Sequence, residues 1–87
     1  MLLRLTPDMQ FVNTDDGLVV LDEKKKQVHY IEKTGKTILD LIAEESDSKI
    51  MLQKFRSMYP TVSTEQIDAD FLDFLDKLIS KGIVLKL

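Results

Sequence analysis

The chain contains no cysteine and one histidine among its 87 residues. Disulfides and thiolate metal sites are therefore excluded, and His29 has no second imidazole with which to build a metal cluster. Long apolar runs are missing as well. Met1-Leu2-Leu3-Arg4-Leu5 is too short, and too soon interrupted by Pro7-Asp8, to serve as a secretory signal. Nothing approaches the roughly 20 apolar residues of a membrane span. The expected setting is the cytoplasm, with no membrane partner. An excess of positive charge is also lacking: the formal net charge is −3 and the sequence pI is near 5.0. That balance disfavours binding to a phosphate backbone, which needs a basic surface. One more absence matters. Thr34-Gly35-Lys36-Thr37 has the spelling that ends a phosphate-binding loop, but the glycine required five positions earlier is replaced by Tyr30. An aromatic residue there cannot curl the backbone around phosphates, so a nucleotide site is not expected.

What is present fits one domain over residues 1–87, near the lower size at which one core can hold a fold unaided. Met9 to Thr14, Leu18 to Leu21 and Gln27 to Ile31 carry strand signals, joined by Asp15-Asp16-Gly17 and by the polar segment Asp22 to Lys26. Sequential pairing would make them an antiparallel meander. Lys24-Lys25-Lys26 then lies at a hairpin tip, where a solvated turn keeps the sheet soluble.

From Thr34 onward the period turns helical. Ile38, Leu41 and Ile42 recur at i, i+3 and i+4 behind Thr34 as a candidate N-cap. A second helix is expected from the Ser46-Asp47-Ser48 caps to Pro60, with Met51, Phe55, Met58 and Tyr59 on one side. The third has the clearest start: Ser63 and Gln66 spell a capping box, Val62 can staple onto Ile67, and Gly82 is a left-handed C-cap. Ile83 to Leu87 reads as a short strand or as a tail over the core.

The third helix carries more apolar surface than one packed layer needs. Ile67, Phe71, Phe74 and Leu78 are expected to face the core, while Asp68, Leu72, Leu75 and Ile79 form a second row along the neighbouring flank. Either another part of the chain covers that row, or a ligand does. The fold class implied is α+β, a three-stranded antiparallel sheet followed by three helices in a winged helix-turn-helix arrangement. Such folds invite a DNA-binding reading, yet Glu65, Asp68, Asp70, Asp73 and Asp76 on the third helix would repel a phosphate backbone. The remaining geometry, an open sheet edge beside an apolar helix flank, suits an extended peptide added as an extra strand. No nucleophile, glycine-rich loop or ligand spacing surrounds His29 or the carboxylates, so neither enzyme nor cofactor is expected.

Three runs, "GLVVLDEKKKQVHYIEKTGKTILDLI", "MLQKFRSMYP" and "IDADFLDFLDKLISKGIVLKL", resemble the small stand-alone leader-recognition proteins of ribosomal peptide biosynthesis, within the pyrroloquinoline-quinone biosynthesis chaperone group. The likeness runs from about Leu3 to Leu87 and is most similar to the lasso-peptide branch, with Glu32 where an Asn is usual before Thr34-Gly35. The Leu-Leu-x-Pro-Glu type run of the quinone-cofactor chaperone itself is absent. The resemblance implies a non-catalytic protein that binds the leader of a precursor peptide and presents it to a maturation enzyme. In the lasso branch that enzyme is a transglutaminase-like protease; in other branches it is often a radical enzyme. Carried onto this chain, Gln27, Val28, His29, Tyr30 and Ile31 would form the docking edge. Asp68, Leu72, Leu75 and Ile79 would form the groove flank.

Overall fold

The computed structural model describes residues 1–87. Its elements in chain order are β1 (Leu3–Leu5), β2 (Met9–Thr14), β3 (Gly17–Asp22), β4 (Gln27–Glu32), α1 (Lys33–Glu44), α2 (Ser48–Met58), α3 (Thr64–Ser80) and β5 (Val84–Lys86). The fold is α+β. Strands β2, β3 and β4 form an antiparallel sheet in that spatial order, and β1 pairs antiparallel with β5 in a separate two-stranded sheet.

The second sheet extends the sequence reading at both ends of the chain. Ile83 to Leu87 does contain a short strand, and its partner is the N-terminal Leu3–Leu5, a run too short to announce itself by periodicity. Backbone bonds from Leu3 N to Ser46 O (2.8 Å), Ser48 N to Met1 O (2.9 Å) and Leu87 N to Leu2 O (2.9 Å) stitch the N-terminus between β5 and the α1–α2 connection. Leu3, Ile83 and Val84 are buried there. They join Val20, Ile38, Met51, Phe55 and Phe71 in one cluster of 16 buried apolar residues. Phe55 sits at its centre, with ring centroids 5.1 Å from Tyr59 and 5.6 Å from Phe71.

The helix boundaries differ from expectation in instructive ways. Helix α1 begins directly after β4, with Glu32 at the N-cap position and no side-chain cap, so Thr34 lies inside the first turn. Gly35 allows this abrupt join: a Cβ there would sit 2.6 Å from Ile31 Cγ2. Asp47 caps α2 through Lys49 N (2.9 Å). Ser63 caps α3 by accepting from Gln66 N at 3.2 Å. Only half of the expected capping box forms, because the Gln66 side chain donates forward to Asp70 Oδ1 at 2.9 Å. At the other end Gly82 (φ 76°) is left-handed as expected. Gly82 N donates to Ile79 O and Ile83 N to Leu78 O, the bond pair that closes a Schellman turn.

Candidate peptide-docking groove

The three-stranded sheet is closed on neither side, and β4 is one of its edges. Which of its backbone groups are free follows from the first hairpin. Asp15-Asp16 is a two-residue loop between paired Thr14 and Gly17. That pair is therefore hydrogen-bonded, and in an antiparallel ladder so is every second pair beyond it, Val12 with Val19 and Gln10 with Leu21. Residues 18, 20 and 22 of β3 must then turn their N–H and C=O groups towards β4, where they meet Ile31, His29 and Gln27. Val28 and Tyr30 are left directing theirs to the open edge. The Ile31 carbonyl confirms this parity, since it points at β3 so closely that a Cβ on Gly17 would collide with it.

Beside that edge runs a groove of about 170 Å³ between β4 and α3, lined by Tyr30, Ile31, Glu32, Phe74, Lys77, Leu78 and Lys81. Ile31 and Leu78 are buried and make its floor, Phe74 is half-buried, and Tyr30 stands 78% exposed at the rim. Lys77 Nζ lies 5.5 Å from the Phe74 ring centroid and 3.1 Å from Asp73 Oδ2, so its charge is already engaged along its own helix.

The expected edge residues and the expected flank residues fare differently in this geometry. Tyr30 and Ile31 line the groove, while Val28 and Gln27 are exposed further along the same strand. His29 is half-buried on the core side, and its Nε2 is buried with no hydrogen-bond partner. None of Asp68, Leu72, Leu75 and Ile79 lines the groove. Leu75 is 1% exposed and belongs to the core, and Phe74, expected in the core, stands at the groove instead.

The reason lies in where the buried arc is centred. At about 100° per residue, Ile67, Phe71, Leu75 and Leu78 fall within about 80° of one another, and these four are the buried residues of α3. Phe74 lies on one shoulder of that arc, towards β4. Asp68, Leu72 and Ile79 lie on the opposite shoulder, where α2 approaches. Asp68 is engaged there: Arg56 Nε and Nη2 donate to its two carboxylate oxygens at 2.8 and 2.6 Å. That paired, charge-assisted contact holds the Asp68 carboxyl below its ordinary pKa, partly offset by desolvation. Leu72 remains 51% exposed beside it. Sequence reasoning missed Glu32, Phe74, Lys77, Leu78 and Lys81 as groove residues. The recurrence of 74, 77, 78 and 81 on one helical face was visible, but not its neighbour.

No helix is long and apolar enough to cross a membrane, and no group of three or more His, Cys, Asp or Glu side chains is placed to hold a metal ion. No curated protein matches the sequence. Two solved structures share the fold. One is TbiB1 in complex with the TbiA(beta) leader peptide, with a TM-score of 0.82 and 19% identity over 97% of this chain and 96% of that one. The other is a lasso peptide synthetase B1 complexed with the leader peptide, with a TM-score of 0.81 and 22% identity over 99% of this chain and all of that one. A family model described as coenzyme PQQ synthesis protein D (PqqD) matches residues 17–84, which span β3 through the start of β5, and the chain belongs to the PqqD family.

Proposed function

We propose that this protein is a non-catalytic leader-peptide-binding protein of ribosomal peptide biosynthesis, in the lasso-peptide branch, and that it presents the bound precursor to a maturation protease. The observation that carries this reading is the unpaired edge of β4 lying against the apolar groove of α3. An incoming strand can pair with the outward groups of Val28 and Tyr30 while every second side chain enters the space between Ile31, Phe74 and Leu78. Backbone pairing supplies affinity and the groove supplies selectivity. The two structures of the same fold, each solved with a leader peptide, support the reading. Membership of the PqqD family is consistent with it.

On this reading the three-stranded sheet and the helices act together as a winged-helix scaffold turned from nucleic acid to peptide. The protein has no reacting group of its own, and the transglutaminase-like protease that removes the leader is a separate chain. Titration of fluorescent leader peptide, taken from a short precursor frame adjacent to this gene, is expected to saturate, and a DNA duplex is expected not to bind. Salt-sensitive duplex binding without peptide binding would identify a winged-helix regulator and overturn the proposal.

A further inference from the structure

The groove is not electrically uniform along its length. Gly35, just beyond β4, faces Phe74, a Cβ there lying 3.7 Å from Phe74 Cδ1; Gly82, just beyond α3, faces Lys25 of the β3–β4 hairpin, a Cβ there lying 3.3 Å from Lys25 Nζ. Helix α3 therefore runs antiparallel to β4. Glu32 and Phe74 occupy one end of the groove, and Lys81 occupies the other. Among the neighbouring lysines, Lys77 is paired with Asp73 and Lys24 with Asp8 at 3.4 Å, whereas Lys81 and Lys25 have no ion-pair partner. Lys81 is thus the groove lysine without an ion-pair partner, at the end away from Glu32, while Lys25 lines a neighbouring cleft with Asp8 and Asp22.

We propose that Lys81 selects a side-chain carboxylate in the docked peptide. This rests on the peptide-docking reading and adds its sequence requirement: an apolar residue over Phe74 and Leu78 with an Asp or Glu two positions away. The spacing follows from two repeats. From the midpoint of Phe74 and Leu78 to Lys81 is five helical residues, about 7–8 Å at the usual rise. Alternate residues of an added strand, which point to the same side, are about 6.8 Å apart. A side chain two positions from the apolar anchor therefore arrives opposite Lys81, within reach of its flexible ammonium. An amide or hydroxyl at that position would leave the Lys81 charge as it is now, and a Lys or Arg would be repelled.

The test is selection of a random 12-residue peptide display library on the full-length protein, with Lys81→Glu and Tyr30→Pro selected in parallel. Lys81→Gln serves as the second charge variant should Lys81→Glu disturb the turn at Gly82. Peptides enriched on the wild-type protein are expected to carry Asp or Glu two positions from an apolar residue, and the Lys81 variants are expected to lose that preference. Synthetic copies of an enriched peptide with the acid changed to its amide should bind the wild-type protein about 1.5- to fivefold more weakly, the range for a partly exposed ion pair. Enriched peptides without the acid, or an acid preference that survives in both Lys81 variants, would overturn the selectivity proposal and leave peptide docking standing. No enrichment over the Tyr30→Pro control would overturn peptide docking and this proposal with it.

Discussion

The two shoulders of α3 each combine apolar side chains with charged ones, the charge being of opposite sign on each, and stand in opposite situations. On one, which carries Asp68, Leu72 and Ile79, Asp68 meets α2 and is neutralised by Arg56. On the other, Phe74, Lys77 and Lys81 meet an unfinished sheet edge, and the last cation has no partner. Each shoulder exposes apolar surface. What separates them is the neighbouring backbone: α2 is a helix whose N–H and C=O groups are satisfied internally, while β4 offers unpaired donors and acceptors at Val28 and Tyr30. An apolar patch next to satisfied backbone can only be covered by packing. Next to an open strand it is a surface on which an added strand could be both paired and packed.

The comparison breaks most visibly at the residue between the shoulders. Leu75→Ala removes a 1% exposed side chain from the core and is expected to cost about 2–5 kcal/mol of stability, a large share of the total for a small domain. Denaturant titration will measure it. A loss near zero would mean that Leu75 stands on a ligand-covered surface after all, as its place in the second apolar row first suggested.

A smaller effect, on binding, separates the shoulders themselves. Phe74→Ala should weaken leader-peptide binding by about 1–2 kcal/mol through apolar area no longer covered, while Leu72→Ala should leave it unchanged. Both side chains are partly solvent-facing, so both variants should fold. Isothermal titration on the pair decides which shoulder is the groove. Equal losses would make the groove wider than the one between β4 and α3; a loss at Leu72 alone would move it to the α2 side.

The parity of β4 gives the next contrast. Tyr30→Pro deletes an N–H that points to open solvent, so the fold should tolerate it. Binding should fall by at least the about 0.5–1.5 kcal/mol of one hydrogen bond, and further if the ring obstructs the incoming strand. His29→Pro deletes a donor paired to Val20 across the ladder and should destabilise the protein itself. Thermal melts with peptide titrations on both variants test this. If Tyr30→Pro binds as the wild type does, strand addition at this edge is wrong.

The sequence was informative wherever a local rule decides the outcome. The Ser63 cap, the Gly82 turn and the two hairpins are set by nearby residues, and the structure contains them all. The strand that would carry the docked peptide was legible for the same reason, since Gln27 to Ile31 is bounded by turn signals. The matching helix face was not. Periodicity says that α3 has two apolar rows, but which row faces β4 depends on how the helix is rolled about its axis. That roll is fixed by distant contacts, such as the Phe55 packing on Phe71 and the Arg56 grip on Asp68. Two adjacent residues, Phe74 and Leu75, consequently exchanged their expected places. The β1–β5 pair was hidden for a related reason, because three-residue strands at opposite ends of the chain carry no period to read.

The smallest expected effect bears on the shoulder that is not the groove. The pKa of Asp68 is lowered from an ordinary 3.8 by its paired hydrogen bonds with Arg56. A carboxyl whose folded pKa is depressed stabilises the protein above its unfolded value, and that contribution is lost as pH falls through the folded one. Compared with Asp68→Asn, the wild-type protein should therefore keep a constant advantage in melting temperature at neutral and mildly acidic pH. The advantage should shrink only as pH drops below about 3.8, the ordinary value. Because the two side chains remain 41% and 33% exposed, solvent screening keeps the effect small. Leader-peptide affinity at neutral pH should be the same for both proteins, as Asp68 faces α2. Melting curves across a pH series, with one titration of each protein, would check both statements. An advantage that persists to the lowest pH would remove the ion pair as its cause, and weakened peptide binding by Asp68→Asn would return this shoulder of α3 to the binding surface.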